Sequence, residues 1–454
     1  LRGHRVYDDR RDMLAAIAGA DHAVLCQPRG DLRRSTQEPA SRWLLADATR
    51  LARTTVTADD LVKYSGSQWL QHIPSFAGGH TYAQSFPSDQ ALRLAAITRR
   101  QPTHPVLNDD PRTTAALEVV HARRSSAFTR FDGNLANAAN DIDMLAETST
   151  TRLEAWATCP RSYLFTHLLG VQPVEEPERR FEIDALTRGS VVHAILEEFV
   201  KGAIEQEHSF QHWTAADHEQ LQRIAADHFD RIERAGQTGK AILWRAERVR
   251  LAGELDRFLE RDSGRLAAGL RPIAAEHEFR GIDVMLPSGR ALQLRGSIDR
   301  IDRAVDGSLE VVDYKTGSAS NYRALTEDQP HDGGKKLQLF VYGRAARRDF
   351  PGAPSVRAGY WFTKDDRVLG YPLTDEVEAK MLNALDMIVT GIGAGVFPAR
   401  PVDAEPWGFV DCWYCTPDGL SGEHARRLWN RKRDDPALAI YLALSGAGGD
   451  EGGA

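Results

Sequence analysis

The sequence predicts an α/β fold, with strands and amphipathic helices following one another along its second region. Two observations carry this. Strand-like runs at Ala274 to Val284, Ala291 to Ile298, Gly296 to Asp302, Leu309 to Lys315 and Val356 to Phe362 lie between turn signals such as Leu286-Pro287-Ser288-Gly289 and Asp306-Gly307. Around them sit amphipathic helices at Arg188 to Val200, Glu219 to Arg234, Ala241 to Arg261 and Thr374 to Ile392, whose apolar residues recur at helical spacing.

At 454 residues, 42% hydrophobic and 27% charged, the chain has an ordinary globular composition. Its length implies about two to four domains. The formal net charge of -7 excludes bulk attraction to a polyanion, so any nucleic acid must be met by a local basic groove. No apolar run approaches the ~18 residues of a membrane span. The opening Leu-Arg-Gly-His-Arg has no signal-peptide core behind its charges, and four cysteines do not make a secreted disulfide framework, so the expected location is cytoplasmic. The first residue is not Met, and the expectation is a piece of a longer polypeptide.

Residues 1–145 form the first region. Asp8 to Ala20 reads as a helix with Met13, Leu14, Ile17 and Ala18 on one face. Ala23-Val24-Leu25-Cys26 reads as a short buried strand, with Cys26 a packed apolar residue. An arginine-rich loop, Pro28 to Ser35, follows. A strand before such a loop resembles the last motor motifs of superfamily 1 helicases; an exposed surface loop is the alternative. No phosphate-binding Gly-x-x-x-x-Gly-Lys-[Ser/Thr] occurs, and Gly236-Gln237-Thr238-Gly239-Lys240-Ala241 lacks its spacing and hydroxyl. Helices are expected from Ser41 to Arg53 and from Ala115 to Arg124. Asp132-Gly133-Asn134 is a turn leading to a boundary near 140–148.

The second region opens at Thr151-Arg152-Leu153-Glu154, a capping-box pattern, and its helix runs on through Trp156 and Cys159. Its chemistry is concentrated on two strands. Residues two apart on a strand share a face, so Asp313 and Lys315 point to one site while Tyr314 turns into the core. Hairpin pairing brings Asp299 to the same place. Two carboxylates suit a hard divalent cation such as Mg2+, and a nearby ammonium can orient a water or stabilise developing negative charge. The alternative for Asp-x-Lys alone is an exposed ion pair. Glu276 and Glu278, on the preceding strand, are left outside the site.

These residues resemble the PD-(D/E)xK nuclease superfamily, and within it the RecB/AddB-type exonuclease branch, whose pattern is G-x-I-D-R-[ILV]-D, a short turn, then [VI]-D-[YF]-K-[TS]-G. Here it stands as Gly296 to Asp302 and Val312 to Gly317. Gly189-Ser190-Val191-Val192-His193 matches the upstream G-x-x-x-H, and Gln338-Leu339-Phe340-Val341-Tyr342 the downstream Q-x-x-x-Y. The resemblance implies a restriction-endonuclease-like core, a mixed central sheet flanked by helices, with a helical insertion, preceded by a smaller helicase-like α/β remnant. It implies that His193, Asp299, Asp313 and the main-chain carbonyl of Tyr314 hold Mg2+ or, since imidazole suits it better, Mn2+. Lys315 then activates or positions the water, and Gln338 and Tyr342 position the substrate strand.

Leu153 to Pro160 also resembles the branch's x-L-E-x-[WY]-x-x-C-P, and Phe397-Pro398-Ala399-Arg400-Pro401 its F-x-[AP]-x-P. In many members the first cysteine joins three downstream ones around a [4Fe–4S] cluster. Here Cys159, Cys412 and Cys415 are present, but Ser421 stands at the fourth position. An incomplete cluster, a Zn2+ site and packed thiols all remain open. The whole implies a metal-dependent deoxyribonuclease over residues 148–445, acting on DNA that is single-stranded or has free ends, beside a helicase subunit or domain. A non-catalytic scaffold subunit and a stand-alone defence endonuclease are the alternatives. Residues 318–334 read as a mobile polar loop at the mouth of the site. The run Arg426 to Arg433, with Trp429 among its bases, reads either as a contact to single-stranded DNA or as a helix docked on the nuclease core. Residues 446–454 are a Gly-rich tail expected to be disordered.

Overall fold

The computed structural model describes residues 2–28, 38–73, 79, 83–99, 111–136, 147–172, 181–364, 367–399 and 422–446. The chain divides into two compact units, one of residues 1–131 with 400–432, the other of residues 132–399 with 433–454.

Among its described residues the first unit is helical. Helices span Arg2–Ala18, Arg42–Ala52, Asp89–Thr98, Pro111–Arg124 and Gly422–Lys432. Ser41 and Ser88 cap the second and third through their hydroxyls. The strand expected at Ala23–Cys26 does not form: the segment is irregular, Val24 is 86% exposed, and Cys26 is exposed rather than packed. A short apolar run has no partner strand among the described residues of this unit, so its backbone groups gain nothing from extending. As far as it is described, the unit is helical where an α/β remnant was expected. The arginine-rich loop lies, apart from Pro28, outside the described residues. The basic helix Gly422–Lys432 donates Arg431 Nη1 to Arg123 O and Lys432 Nζ to Ala122 O and Ala127 O, so it packs on the helix Pro111–Arg124 of its own unit.

The second unit is built on a six-stranded mixed sheet. In chain order its main elements are β1 (Thr148–Ser149), α1 (Thr150–Thr158), α2 (Ala185–Glu205), α3 (Ala215–Arg234), α4 (Ala241–Ala267), β2 (Arg271–Met285), β3 (Ala291–Arg303), β4 (Leu309–Lys315), α5 (Gln338–Asp349), β5 (Val356–Phe362), β6 (Arg367–Pro372), α6 (Asp375–Gly393) and α7 (Ala439–Ser445). β3 pairs antiparallel with β2 along its length and with β4 at its C-terminal end, while β1 joins it in parallel at Leu294 and Arg295. β4 and β5 are parallel, and β6 closes the edge antiparallel to β5. The two strand-like runs expected over 291–302 are thus one long strand.

Alternation along β4 decides which helices lie where. Val312 and Tyr314 face a core shared with α2, α3 and α4, including Phe199, Trp244, Leu255 and Phe258. Asp313 and Lys315 face the other way, toward α5. Beneath the first face, Arg300 is fully buried and bonded to Asp302 (2.6 Å) and Asp262 of α4 (2.7 Å); Arg265 completes the group on Asp302 and Glu310. Every charge there has an opposite partner, which is what allows it to be buried.

α1 starts two residues earlier than expected. Ser149, not Thr151, is its N-cap and accepts from Arg152 N–H, because Thr151 is already helical. The expected capping box is therefore absent, and Glu154 is left free for a different partner. Trp156, fully buried, donates its indole N–H to Val396 O.

Candidate active site

Pairs between β3 and β4 run from Arg303–Leu309 to Arg300–Val312, so Asp299 and Asp313 stand opposite each other where the two strands begin to part. There Tyr314 N–H donates to the Asp299 carboxylate at 2.6 Å instead of to a strand carbonyl. That bond fixes the carboxylate at the end of the sheet. Asp313 is 3% exposed and Asp299 9%.

α2 delivers the histidine. His193 Nδ1 is 3.3 Å from Asp299 Oδ2, and its Nε2 is 3.0 Å from the Tyr314 carbonyl oxygen. Gly189, one turn earlier, faces the strand end, where a Cβ would sit at ordinary contact distance from the Thr316 hydroxyl. Arg188 donates to Thr316 O from the same turn. The structure therefore brings His193, Asp299 and the Tyr314 carbonyl together, with Asp313 opposite Asp299 on the neighbouring strand.

It adds a further donor. Glu276 of β2 lies between the Ala275–Arg300 and His277–Ile298 pairs, opposite Asp299. One ligand atom each from His193, Glu276 and Asp299 falls within 4.8 Å of the others. Glu276 holds φ at +44°, a left-handed backbone that costs a side-chain-bearing residue roughly 1–3 kcal/mol. Ser297 Oγ donates to its carboxylate at 2.7 Å. Its exclusion from the site is thus corrected. A count from the hairpin pair Met285–Ala291 places His277 opposite Asp299; the bulge between Phe279 and Ile282 shifts the register by one and presents Glu276 instead. No signal in the sequence marks that bulge except Gly281, which takes φ +61°.

The electrostatics fit a cation. Burial raises the Asp313 carboxyl to about 6, with the charge of Asp299 adding to it and Lys315 opposing. Burial, then Asp299 and Glu197, also raises Glu276. For His193, burial works downward, but the hydrogen bond and charge of Asp299 outweigh it and the imidazole is raised. Acidic groups crowded at a strand end and pushed toward their neutral forms are relieved by a bound divalent ion, and a set of oxygen donors with one imidazole accepts Mg2+ or Mn2+.

Lys315 Nζ forms an ion pair with Asp313 and donates to Gln338 Oε1 at 3.2 Å. Burial alone would lower its pKa, but Asp313 raises it above the ordinary lysine value, so at neutral pH it is an ammonium. Gln338 is the first residue of α5. Tyr342, one turn on, is 7% exposed, edge-on to Phe279 and close over Gly296, where any Cβ would strike the Phe279 ring. Of the cysteines, Cys159 is half-buried at the C-cap of α1; Cys412, Cys415 and Ser421 lie outside the described residues.

β4 thus ends in Asp313-x-Lys315 beside Asp299 of β3, and α2 brings the histidine to the same point. The sequence profile of the PD-(D/E)XK nuclease superfamily matches residues 147–417, more than half of the chain, and the chain belongs to that family. Among curated proteins it is similar to an ATP-dependent helicase/deoxyribonuclease subunit of Desulforudis audaxviator, 33% identical over 217 residues, which are 44% of this chain and 17% of the relative. The subunit of the same name from Heliobacterium modesticaldum is 32% identical over 216 residues, 44% of this chain and 16% of the relative. That of Clostridium perfringens is 24% identical over 246 residues, 49% and 20%. The chain thus spans a fifth or less of these relatives.

Proposed function

We propose that the chain is a metal-dependent deoxyribonuclease, an exonuclease that trims DNA ends in recombinational repair beside a helicase. The observation that carries this is the meeting of His193, Asp299 and the Tyr314 carbonyl, with Asp313 opposite Asp299 and paired to a charged Lys315. These residues, with Glu276 at their side, would hold Mg2+ or Mn2+, which when bound lowers the pKa of a water and neutralises phosphate charge. The Tyr314 N–H aims Asp299 at the shared point. Lys315, already protonated, cannot take a proton; it serves by donating to the attacking water and to charge developing on the phosphate. Gln338 holds the ammonium in place. Gln338 and Tyr342 position the strand, Tyr342 from behind since little of it is exposed. The helicase partner and the DNA substrate rest on the names of the relatives.

The test is cleavage of end-labelled linear single-stranded DNA with Mg2+ or Mn2+, by wild type and Lys315→Ala. Removing a group that acts mainly in the transition state costs about 10²–10³ in rate. Equal activity in the variant removes Lys315 from the chemistry; inactive wild type favours the scaffold reading. For Cys159, Cys412 and Cys415 the reading stays between an iron–sulfur cluster lacking its fourth cysteine, a zinc site and packed thiols without metal, which metal analysis of anaerobically purified protein separates.

A further inference from the structure

The start of α5 has an unusual support. Its N-cap is Leu337, which has no side-chain acceptor for the unpaired N–H groups of the first turn. The acceptor comes instead from Glu154, 183 residues away in sequence on α1. Its Oε1 accepts from Leu337 N–H at 2.6 Å and from Gln338 N–H at 3.2 Å. Gln338 then passes the constraint onward, since its Oε1 accepts from Lys315 Nζ at 3.2 Å, and Lys315 pairs with Asp313. The chain of contacts runs from α1 through the first residue of α5 to the lysine of the site.

We infer that Glu154 is a positioning residue for Lys315: its carboxylate fixes the first turn of α5, and so holds the Gln338 side chain where it can receive the ammonium. The inference rests on the nuclease reading for its kinetic consequence, but its geometry does not. The side chain is well placed for the role. Burial raises the Glu154 carboxyl, while the Leu337 N–H and the charges of Lys336 and Lys315 draw it down, so the residue is tied electrostatically to the groups it supports. A merely structural glutamate at this point would support α5 without any dependence on Gln338.

The test is a double-mutant cycle on cleavage of linear single-stranded DNA. Glu154→Ala and Gln338→Ala should each lower kcat by about 10- to 100-fold with KM nearly unchanged, since a small misplacement of a catalytic group has that effect. The double variant should be no slower than the worse single one. Glu154→Gln keeps an oxygen acceptor for both N–H groups and should recover most of the rate. Full activity in Glu154→Ala, or losses that multiply in the double variant, overturns the inference. A second readout does not need turnover. In protein labelled at lysine Cε, the Lys315 resonance at one fixed pH, assigned with Lys315→Arg, should shift alike in Glu154→Ala and Gln338→Ala and stay near wild type in Glu154→Gln. If wild type fails to cut DNA, the nuclease reading falls and this shift alone decides; an unmoved Lys315 resonance in Glu154→Ala overturns the inference.

Discussion

At the scale of single residues, protons compete with the proposed cation for the same atoms. Asp313 is raised to about 6 by burial, and His193 is raised above its ordinary value by Asp299 despite burial. Both must lose their protons to bind a divalent ion. As the pH falls His193, raised above its ordinary value, charges first, and the Asp313 carboxyl becomes neutral below about 6. We expect Mn2+ affinity, measured by calorimetry between about pH 5 and 8, to fall by up to ~10-fold per pH unit while only His193 is protonated, and more steeply below about 6 where Asp313 is protonated too. An affinity that is flat across that range would remove Asp313 from the ligand set. Asp313→Ala should abolish both binding and cleavage. The motif residues were legible here because Asp313 and Lys315 obey strand alternation. Glu276 was not, because the bulge between Phe279 and Ile282 sets which carboxylate meets Asp299.

At the scale of elements, β3 has two working faces. Asp299 looks toward the site, and Arg300 and Asp302 look into the ionic group held by Asp262 and Arg265 of α4. Arg300→Met leaves buried carboxylates without their counter-charge and should cost about 3–5 kcal/mol, read by urea unfolding. Combining it with Asp262→Leu should restore part of that loss, because the orphaned charge goes with its partner. A single variant as stable as wild type would show that the group contributes nothing to the fold. The long helices and the hairpin were readable from periodicity and from Asp306-Gly307, whose glycine takes φ +87°. The cap of α1 and the partner of Glu154 were not readable, since a Thr-x-x-Glu pattern says nothing of a helix start 183 residues downstream.

At the scale of the whole molecule, the second unit followed the sequence reading more closely than the first. Four motifs in order define the nuclease core, and the sheet assembles them. In residues 1–131 short apolar runs such as Ala23–Cys26 have no periodic neighbours to specify pairing, and the described part is helical. The basic helix Gly422–Lys432 also had two readings. Lys432, 3% exposed, directs its ammonium to two backbone carbonyls, and Arg431 its guanidinium to a third. With a net charge of -7 and these two cations engaged, attraction to DNA depends on the remaining basic side chains and on strand ends reaching the site. Circular single-stranded DNA should therefore resist cleavage while the same strand, linearised, is degraded; equal rates on both would identify an endonuclease.

The division of labour along β3 bears on how such proteins drift. Under the proposed nuclease reading, a lineage that no longer cuts is released from holding Asp299 and Lys315 for chemistry, while Arg300 and Asp302 stay bound into the buried ionic group of the fold. Retention of Arg300 and Asp302 in a descendant then marks inherited architecture, and Asp299 read together with Lys315 marks the proposed cutting site.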